Sequence, residues 1–338
     1  MNANAVTPLI DRFARVHDSL RVSVTDRCNV RCFYCMPDEA IRFTEREEIL
    51  SFEEIERVVR VGASLGVNKV RVTGGEPLVR RDLPGLIAKL AAIPGIADLA
   101  LTTNAVLLER DAQALYDAGL RRLNIHLDTL DRARFEKITR RDDLPRVMAG
   151  IDAAQRAGFT IKINVVAVKN LIEPDIVPMA LFCRERGFEP RFIEFMPLDS
   201  QSLWDRGKVL LADDIAALIV REIGPLVEVP DRDPRAPATD FAYADGKGKV
   251  GFIASVSKPF CLNCNRIRLT SDGKLRYCLF AIEETDVKHI LRSNLSADQA
   301  DAQIAAAFRQ NIAEKWLGHE INSPKFIPPP RPMYAIGG

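Results

Sequence analysis

The sequence predicts an α/β protein built on a parallel sheet, and three observations carry that prediction. Six β-rich runs alternate with helical patterns between residue 21 and about 196; polar, turn-forming residues gather where the β-runs end; and the alternation stops near residue 200. Such alternation implies right-handed βαβ units whose sheet is either open or curled into a barrel. Ligands in these folds sit at the carboxyl ends of the strands.

The β-branched density of "RVSVT" (21–25) makes the first strand, and the apolar periodicity of 52–66 the first helix. The same two signals then repeat: "KVRVTGG" and 83–92, "DLALTTN" and 108–118, "RRLNIHLD" and 132–157, "TIKINVVAV" and 174–187, and finally "RFIEFM". Four strand ends are polar: "TGGEP" at 73–77, "TTN" at 102–104, "HLD" at 126–128 and "EFMP" at 194–197. Any one of them is ordinary turn and capping chemistry; four in succession point to the mouth of a barrel. Beyond residue 200 come a helix around 212–223, the Pro- and Asp-rich loop "PDRDPRAPATD", a β-run "KVGFIASVS", a hairpin in "RIRLTSDGKLRYCLF", a helix from about 297 to 316 and a Pro-rich tail. The expected division is a barrel over 1–196 and a C-terminal region over 197–338, packed as a second layer against the barrel opening.

A chain of 338 residues, 47% hydrophobic and 28% charged, can bury a large core. Its 47 Lys plus Arg and 46 Asp plus Glu leave a net charge of +1, which argues against nucleic-acid or membrane-surface binding by overall charge. The N-terminus does not read as a signal peptide and no apolar run is long enough to span a bilayer, so the expected location is cytoplasmic. Seven cysteines in such a chain point to metal ligation rather than disulfides.

Cys28, Cys32 and Cys35 lie in "CNVRCFYC", a C-x3-C-x2-C triplet just after the first β-run. Structural zinc wants four protein ligands, and three-ligand catalytic zinc usually includes histidine, which this loop lacks. A 4Fe–4S cluster takes thiolates, and three of them leave one iron open. Cys261, Cys264 and Cys278 form a second triplet, C-x2-C-x13-C. Alone it reads as a zinc ribbon short of a ligand or half a ferredoxin site; beside the first triplet it reads as a second cluster with an open iron facing substrate. Cys183, on an apolar helical face, reads as a buried free thiol.

Five cations occupy strands or cluster loops: Arg21, Arg71, Lys162, Arg266 and Arg268, the last two on one face of "RIRLT". Bidentate arginine suits phosphate oxygens. "DGKGK" at 245–249 lacks the Walker pattern, so nucleotide binding would rest on these side chains.

The C-x3-C-x2-C spacing with "GGEP" resembles the radical S-adenosylmethionine (SAM) superfamily. "LRVSVTDRCNVRCFYCMP", "VRVTGGEPLVRRDL", "LTTN", "RFIEFMPL", "FCLNCNRIRLTSDGKLRYCLF" and the terminal "GG" are similar, over residues 8–338, to the GTP 3′,8-cyclase family of molybdenum cofactor biosynthesis. That resemblance implies an incomplete six-stranded (β/α)6 TIM-like barrel with a C-terminal α+β extension. It implies two 4Fe–4S clusters, on Cys28, Cys32 and Cys35 and on Cys261, Cys264 and Cys278, with SAM against Tyr34, Gly75, His126 and Met196. GTP would contact Arg21, Arg71, Thr102, Lys162, Arg266, Ile267 and Arg268, and Arg21, Arg266, Arg268, Gly337 and Gly338 would serve catalysis. A 5′-deoxyadenosyl radical would take hydrogen from ribose C3′, and C3′ would then attack guanine C8. The implied partners are a flavodoxin- or ferredoxin-like electron donor, a downstream cyclic pyranopterin synthase and a second copy of the chain.

Two positions depart from the family. His126 stands where members commonly carry serine as a SAM contact, and "TTNA" replaces "TTNG", which implies that Ala105 needs no positive φ. Three other readings remain at this point. A peptide-modifying radical SAM enzyme would carry more C-terminal cysteines, an iron–sulfur electron carrier would not need "GGEP" or the arginines, and a zinc nucleic-acid module would need a basic patch.

Overall fold

The computed structural model describes residues 7–36, 41–198, 203–230 and 233–337. Strands β1 (Ser19–Ser23), β2 (Lys69–Thr73), β3 (Asp98–Thr103), β4 (Arg122–His126), β5 (Thr160–Ala167) and β6 (Glu189–Glu194) pair in parallel and in sequence order. Between them run α1 (Phe52–Ser64), α2 (Leu83–Ala91), α3 (Leu108–Asp117), α4 (Arg132–Thr139), α5 (Leu144–Ala157) and α6 (Glu173–Arg186). The single helix expected over 132–157 is two. Arg140 turns left-handed at φ 56, and Pro145, tolerated only in a first helical turn, starts the second helix.

The C-terminal region does not form a separate layer. It supplies α7 (Ala212–Glu222), β7 (Leu226–Glu228), β8 (Thr239–Tyr243), β9 (Lys249–Ile253), β10 (Arg266–Leu269), β11 (Lys274–Arg276), β12 (Thr285–Asp286), α8 (Lys288–Leu291), α9 (Ala297–Ala313) and α10 (Met333–Ile336). Its strands extend the same sheet at both edges, giving twelve strands in the order β12-β11-β10-β1-β2-β3-β4-β5-β6-β9-β8-β7. β10 lies parallel to β1, and β9 parallel to β6. The C-terminal half is therefore joined to the first by backbone hydrogen bonds, and the β10–β11 hairpin forms as the "SDG" turn predicts.

Because side chains alternate across a strand, the two sheet faces differ in kind. Leu20, Val22, Val70, Val72, Leu101, Leu123, Ile125, Ile161, Ile163, Ile267 and Leu269 are at most 3% exposed and share one core with Ile55, Val58, Leu86, Leu115, Ile151 and Ile176 of the helices. Each such side chain contributes roughly 1.5–3 kcal/mol by leaving water. The other face carries Ser19, Arg21, Lys69, Arg71, Asp98, Thr102, Arg122, Asn124, Asn164, Arg191, Arg266 and Arg268, all lining one cavity. Among the described residues no helix is long and apolar enough to cross a membrane.

Candidate active site

Register builds the cationic wall. Arg268 on β10 pairs with Arg21 on β1, and Arg21 with Arg71 on β2, so three guanidinium groups stand in one transverse row across adjacent strands. Arg266 lies one inward position away, opposite Ser19. Their cavity, about 350 Å³, is also lined by Thr102, Met196, Met333 and all three of Cys261, Cys264 and Cys278.

Three cations in this wall are neutralised by carboxylates. Arg122 meets Asp98 at 2.6 Å, Lys69 meets Asp233 at 3.1 Å, and Arg191 meets Glu189 at 2.8 Å. Arg21 and Arg71 are different: among the described residues neither has a hydrogen-bond or ion-pair partner. Burial and the neighbouring Arg268, Arg266 and Arg71 hold the Arg21 guanidinium well below its ordinary pKa. Burial and Arg122 bring Arg71 to about 10, and burial and Arg266 bring Arg268 to about 9. Such crowding of like charge needs an anion to offset it.

The other expected ligands are placed unevenly. Thr102 lines the cavity. Lys162 does not; its ammonium is held by both Glu189 oxygens at 2.7 and 2.8 Å. The Ile267 side chain is fully buried on the opposite, apolar face. Lys69, Arg122, Arg191 and Arg235 join the wall and were not singled out from the sequence. Strand alternation could have found the first three, since Lys69 precedes Arg71 by two positions.

The first cysteine triplet sits at the carboxyl end of β1, and the strand-end motifs hold it. Gly75 N–H donates to Thr25 O at 2.7 Å, and a Cβ there would fall 2.4 Å from Arg27 O, so only glycine lets the second strand end close on the loop before Cys28. Glu76, 1% exposed, accepts from Leu78 N, Thr103 Oγ1 and Asn104 N at 2.7–3.0 Å, and Asn104 Nδ2 reaches Cys28 Sγ at 3.7 Å. Glu194 is clamped by Ala212, Val256 and Ser257. The strand-end carboxylates are thus structural clasps.

The Tyr34 hydroxyl donates to Asp128 Oδ2 and meets His126 Nε2, each at 2.5 Å. Burial opposes the His126 imidazolium, but the Asp128 carboxylate, with the Cys32 sulfur beside it, outweighs burial and raises the pKa to about 10. His126 is therefore engaged with Tyr34 and Asp128. The expectation for Ala105 is overturned: its φ is 62. The turn is forced, because Ala105 N–H is tied to Thr103 Oγ1 at 3.0 Å while α5 packs so closely that a Cβ on Gly150 would lie 2.4 Å from Ala105 O.

The C-terminal tail links the first cysteine site to the arginine row. A backbone hydrogen bond from Tyr334 reaches Cys35, and Gly337 O accepts from Arg268 Nη1 at 2.5 Å. Gly337 adopts φ 84 against Ser23 and Thr73, where a Cβ would fall 2.7 Å from Ser23 Cβ. Gly338 lies outside the described residues.

Both triplets suit thiolate-held clusters. All six cysteines are free thiols; Cys28, Cys32 and Cys35 share the loop after β1, Cys261 and Cys264 before β10 line one cavity with Cys278 after β11, and among the described residues no three His, Cys, Asp or Glu side chains close at single-ion spacing. A cuboidal cluster holds its thiolates further apart, on separate irons. Cys264 also receives Arg266 Nε at 3.4 Å and Lys315 Nζ at 3.6 Å, which suits an anionic sulfur.

Comparison with known proteins fits this geometry. The Radical SAM superfamily model matches residues 22–183, and the Molybdenum Cofactor Synthesis C model matches 188–321. A "GTP 3′,8-cyclase" of Rhodopirellula baltica is 48% identical over 98% of this chain and 92% of its own. A "GTP 3′,8-cyclase 2" of Mycobacterium tuberculosis is 46% identical over 98% and 92%. Among solved structures, Streptococcus suis SuiB bound to S-adenosylmethionine superposes with a TM-score of 0.58 at 15% identity, covering 90% of this chain and 68% of that one. Native anSMEcpe with bound AdoMet gives 0.55 at 14% identity, covering 90% and 82%. At these identities the structures attest the fold alone.

Proposed function

The chain belongs to the GTP 3′,8-cyclase family of radical SAM enzymes, and from that premise we propose how its residues divide the work. The protein converts GTP to (8S)-3′,8-cyclo-7,8-dihydroguanosine 5′-triphosphate, an early step of molybdenum cofactor biosynthesis, using SAM and a 4Fe–4S cluster. Cys28, Cys32 and Cys35 would hold that cluster, and Tyr34, Gly75, His126 and Met196 would line SAM. Cys261, Cys264 and Cys278 would hold a second cluster, and the guanine of GTP would sit against it. When bound, SAM and its cluster supply the radical that removes hydrogen from ribose C3′, so that C3′ attacks guanine C8.

The chain's own residues bind, orient and exclude water. Arg21 and Arg71 would take the triphosphate, with Arg268 and Arg266 completing the row; Thr102 would contact the nucleotide, and Ile267 can offer only its backbone. Lys162 would join by exchanging Glu189 for phosphate. The tail through Gly337 and Gly338 would close the space between the sites, holding Arg268 by the Gly337 carbonyl. We read residues 1–196 as a partial six-stranded barrel and 197–338 as the region that carries the second cluster. The same reading includes a flavodoxin- or ferredoxin-like donor, a downstream cyclic pyranopterin synthase and a homodimer.

The observation that carries this reading is the pair Arg21 and Arg71, whose side chains have no partner among the described residues and face the cavity that the second triplet also lines. Anaerobic reconstitution with reductant and SAM, followed by quantifying 5′-deoxyadenosine with GTP, with ATP and with no nucleotide, tests it. GTP alone should stimulate cleavage and yield the cyclised product, and Arg21→Ala should raise the GTP concentration required. SAM cleavage equally fast in the variant and indifferent to the nucleotide would overturn the assignment of this cavity.

A further inference from the structure

Residues 7–18, ahead of β1, form a strap whose chemistry the cyclisation does not absorb. Leu9 and His17 close it through His17 N to Leu9 O at 2.8 Å, with an Ile10–Val16 bridge. Asp11 shapes the turn by accepting from Phe13 N and Arg15 N at 2.9 and 3.0 Å. Its second oxygen accepts from Arg15 Nε at 2.6 Å and from His17 Nε2 at 3.0 Å. Arg15 then spans to Cys261 O, Trp316 O and Leu317 O at 2.6–2.9 Å, pinning the strap to the loop of the second cysteine site.

With its Nε2 proton given to Asp11, His17 has only the Nδ1 lone pair left, and this points at Lys315 Nζ, 3.5 Å away. Lys315 is 3% exposed and meets three acceptors: His17 Nδ1, Arg266 O at 2.8 Å and Cys264 Sγ at 3.6 Å. An ammonium has three N–H donors, so every one is used and the group is fixed. Burying a cation beside Arg266 and Arg15 is costly unless an anion balances it. The sulfur this ammonium faces, Cys264, also accepts from Arg266 Nε at 3.4 Å, whereas among the described residues Cys261 and Cys278 receive no side-chain cation in a hydrogen bond.

We propose that Lys315, locked by the buried His17–Asp11 pair, is a positioning residue of the second cysteine site that sets the reduction potential of the cluster held there. The inference rests on the reading that these cysteines hold a 4Fe–4S cluster. Reduction adds negative charge to the cluster and its sulfurs, and a fixed cation on one sulfur stabilises the reduced form more than the oxidised one. The asymmetry singles out the Cys264 corner, and through Asp11 and His17 it makes the N-terminal strap part of the redox site.

The test uses the full chain with both sites loaded anaerobically. Potentiometric titration followed by electron paramagnetic resonance gives the midpoint of the C-terminal cluster, identified as the signal that Cys278→Ser removes. Lys315→Met should move that midpoint to more negative potential and leave the N-terminal cluster unmoved, while Lys315→Arg, which keeps the charge, should move it less. Should the Met variant fail to load its C-terminal site, Lys315→Gln, which keeps an N–H donor without the charge, should give an intermediate negative shift. An unmoved midpoint in a fully loaded Met or Gln variant overturns the inference while the cluster reading stands. A wild-type protein with no signal sensitive to Cys278→Ser overturns the cluster reading and the inference together.

Discussion

The two cysteine triplets have the same ligand count and opposite surroundings. Burial and Glu76 push the Cys28 thiol up to about 12, and burial with the neighbouring Cys32 and Cys28 holds Cys35 well above its ordinary range. At the other site burial likewise raises Cys261, but at Cys264 Arg266 and Lys315 override burial and bring that sulfur to about 5. The first site has the buried Glu76 beside Cys28 and a backbone hydrogen bond from the tail on Cys35, whereas the second carries two cations on a single sulfur, Cys264. Under the proposed assignment the first site would take SAM, whose sulfonium already gives it a net positive charge, and needs no surplus of cations; the second would take a nucleotide triphosphate and does. Ligand spacing sets what each loop can hold, and neighbouring side chains decide the charge it works with.

The largest effect should come from removing one ligand on each side. Cys32→Ala should reduce 5′-deoxyadenosine formation to background whether or not GTP is present. Cys264→Ala should lose GTP cyclisation while keeping some SAM cleavage, measured as deoxyadenosine without cyclised product. Equal loss of both signals in both variants would break the division of labour between the sites.

Next in size are the arginines that only the second site commands. Removing a charge-assisted hydrogen bond of about 1.5–3 kcal/mol predicts that Arg21→Ala or Arg71→Ala weakens GTP binding roughly 10- to 100-fold. Lys162→Ala should cost less, because Glu189 already occupies its ammonium. SAM affinity should not follow. Calorimetric titration of GTP and of SAM into each loaded variant checks both halves.

A pH effect should separate the strap of the second site from the rest. Burial and Lys315 lower the His17 pKa from 6.5 to about 4. Because the folded pKa is the lower one, the unfolded chain binds more protons between these values, and stability falls as pH drops from 7 toward 4. Between pH 7 and 5 the loss from this group is about 2 kcal/mol. Urea midpoints of the wild type and His17→Gln should converge as the pH is lowered across that window; parallel curves would break the argument.

Sequence reading carried far where chemistry is local and less far where contacts are long-range. The six strands, the hairpin after Cys264 and both triplets were legible because strand composition, turn residues and ligand spacing lie within a few positions of one another. The pairing of β10 with β1 was not, since Arg21 and Arg268 meet across more than two-thirds of the chain. That pairing turns separate cations into one row. Lys315 was invisible for the same reason: in "AEKWLG" it is an ordinary surface lysine, and only Asp11, His17 and Cys264 make it a buried one.

Ala105 shows the opposite failure, a local rule applied to the wrong cause. Alanine in place of glycine implies that no positive φ is needed at 105, yet the backbone keeps φ 62 and the residue is strained. The turn persists because Thr103 Oγ1 and the close approach of α5 at Gly150 fix it from both sides, and because Asn104, which reaches Cys28, depends on it. Ala105→Gly should therefore relieve strain in the folded state, at the expense of extra entropy in the unfolded chain. The net gain should be no more than about 1 kcal/mol. A rise in the urea midpoint with unchanged loading of the first cluster is the expected result, and it should appear identically in His17→Gln protein, since the two positions serve different cysteine sites and share no partner. A fall in the midpoint would mean that the Ala105 methyl, fully buried in the core, contributes more by packing than its backbone loses by strain.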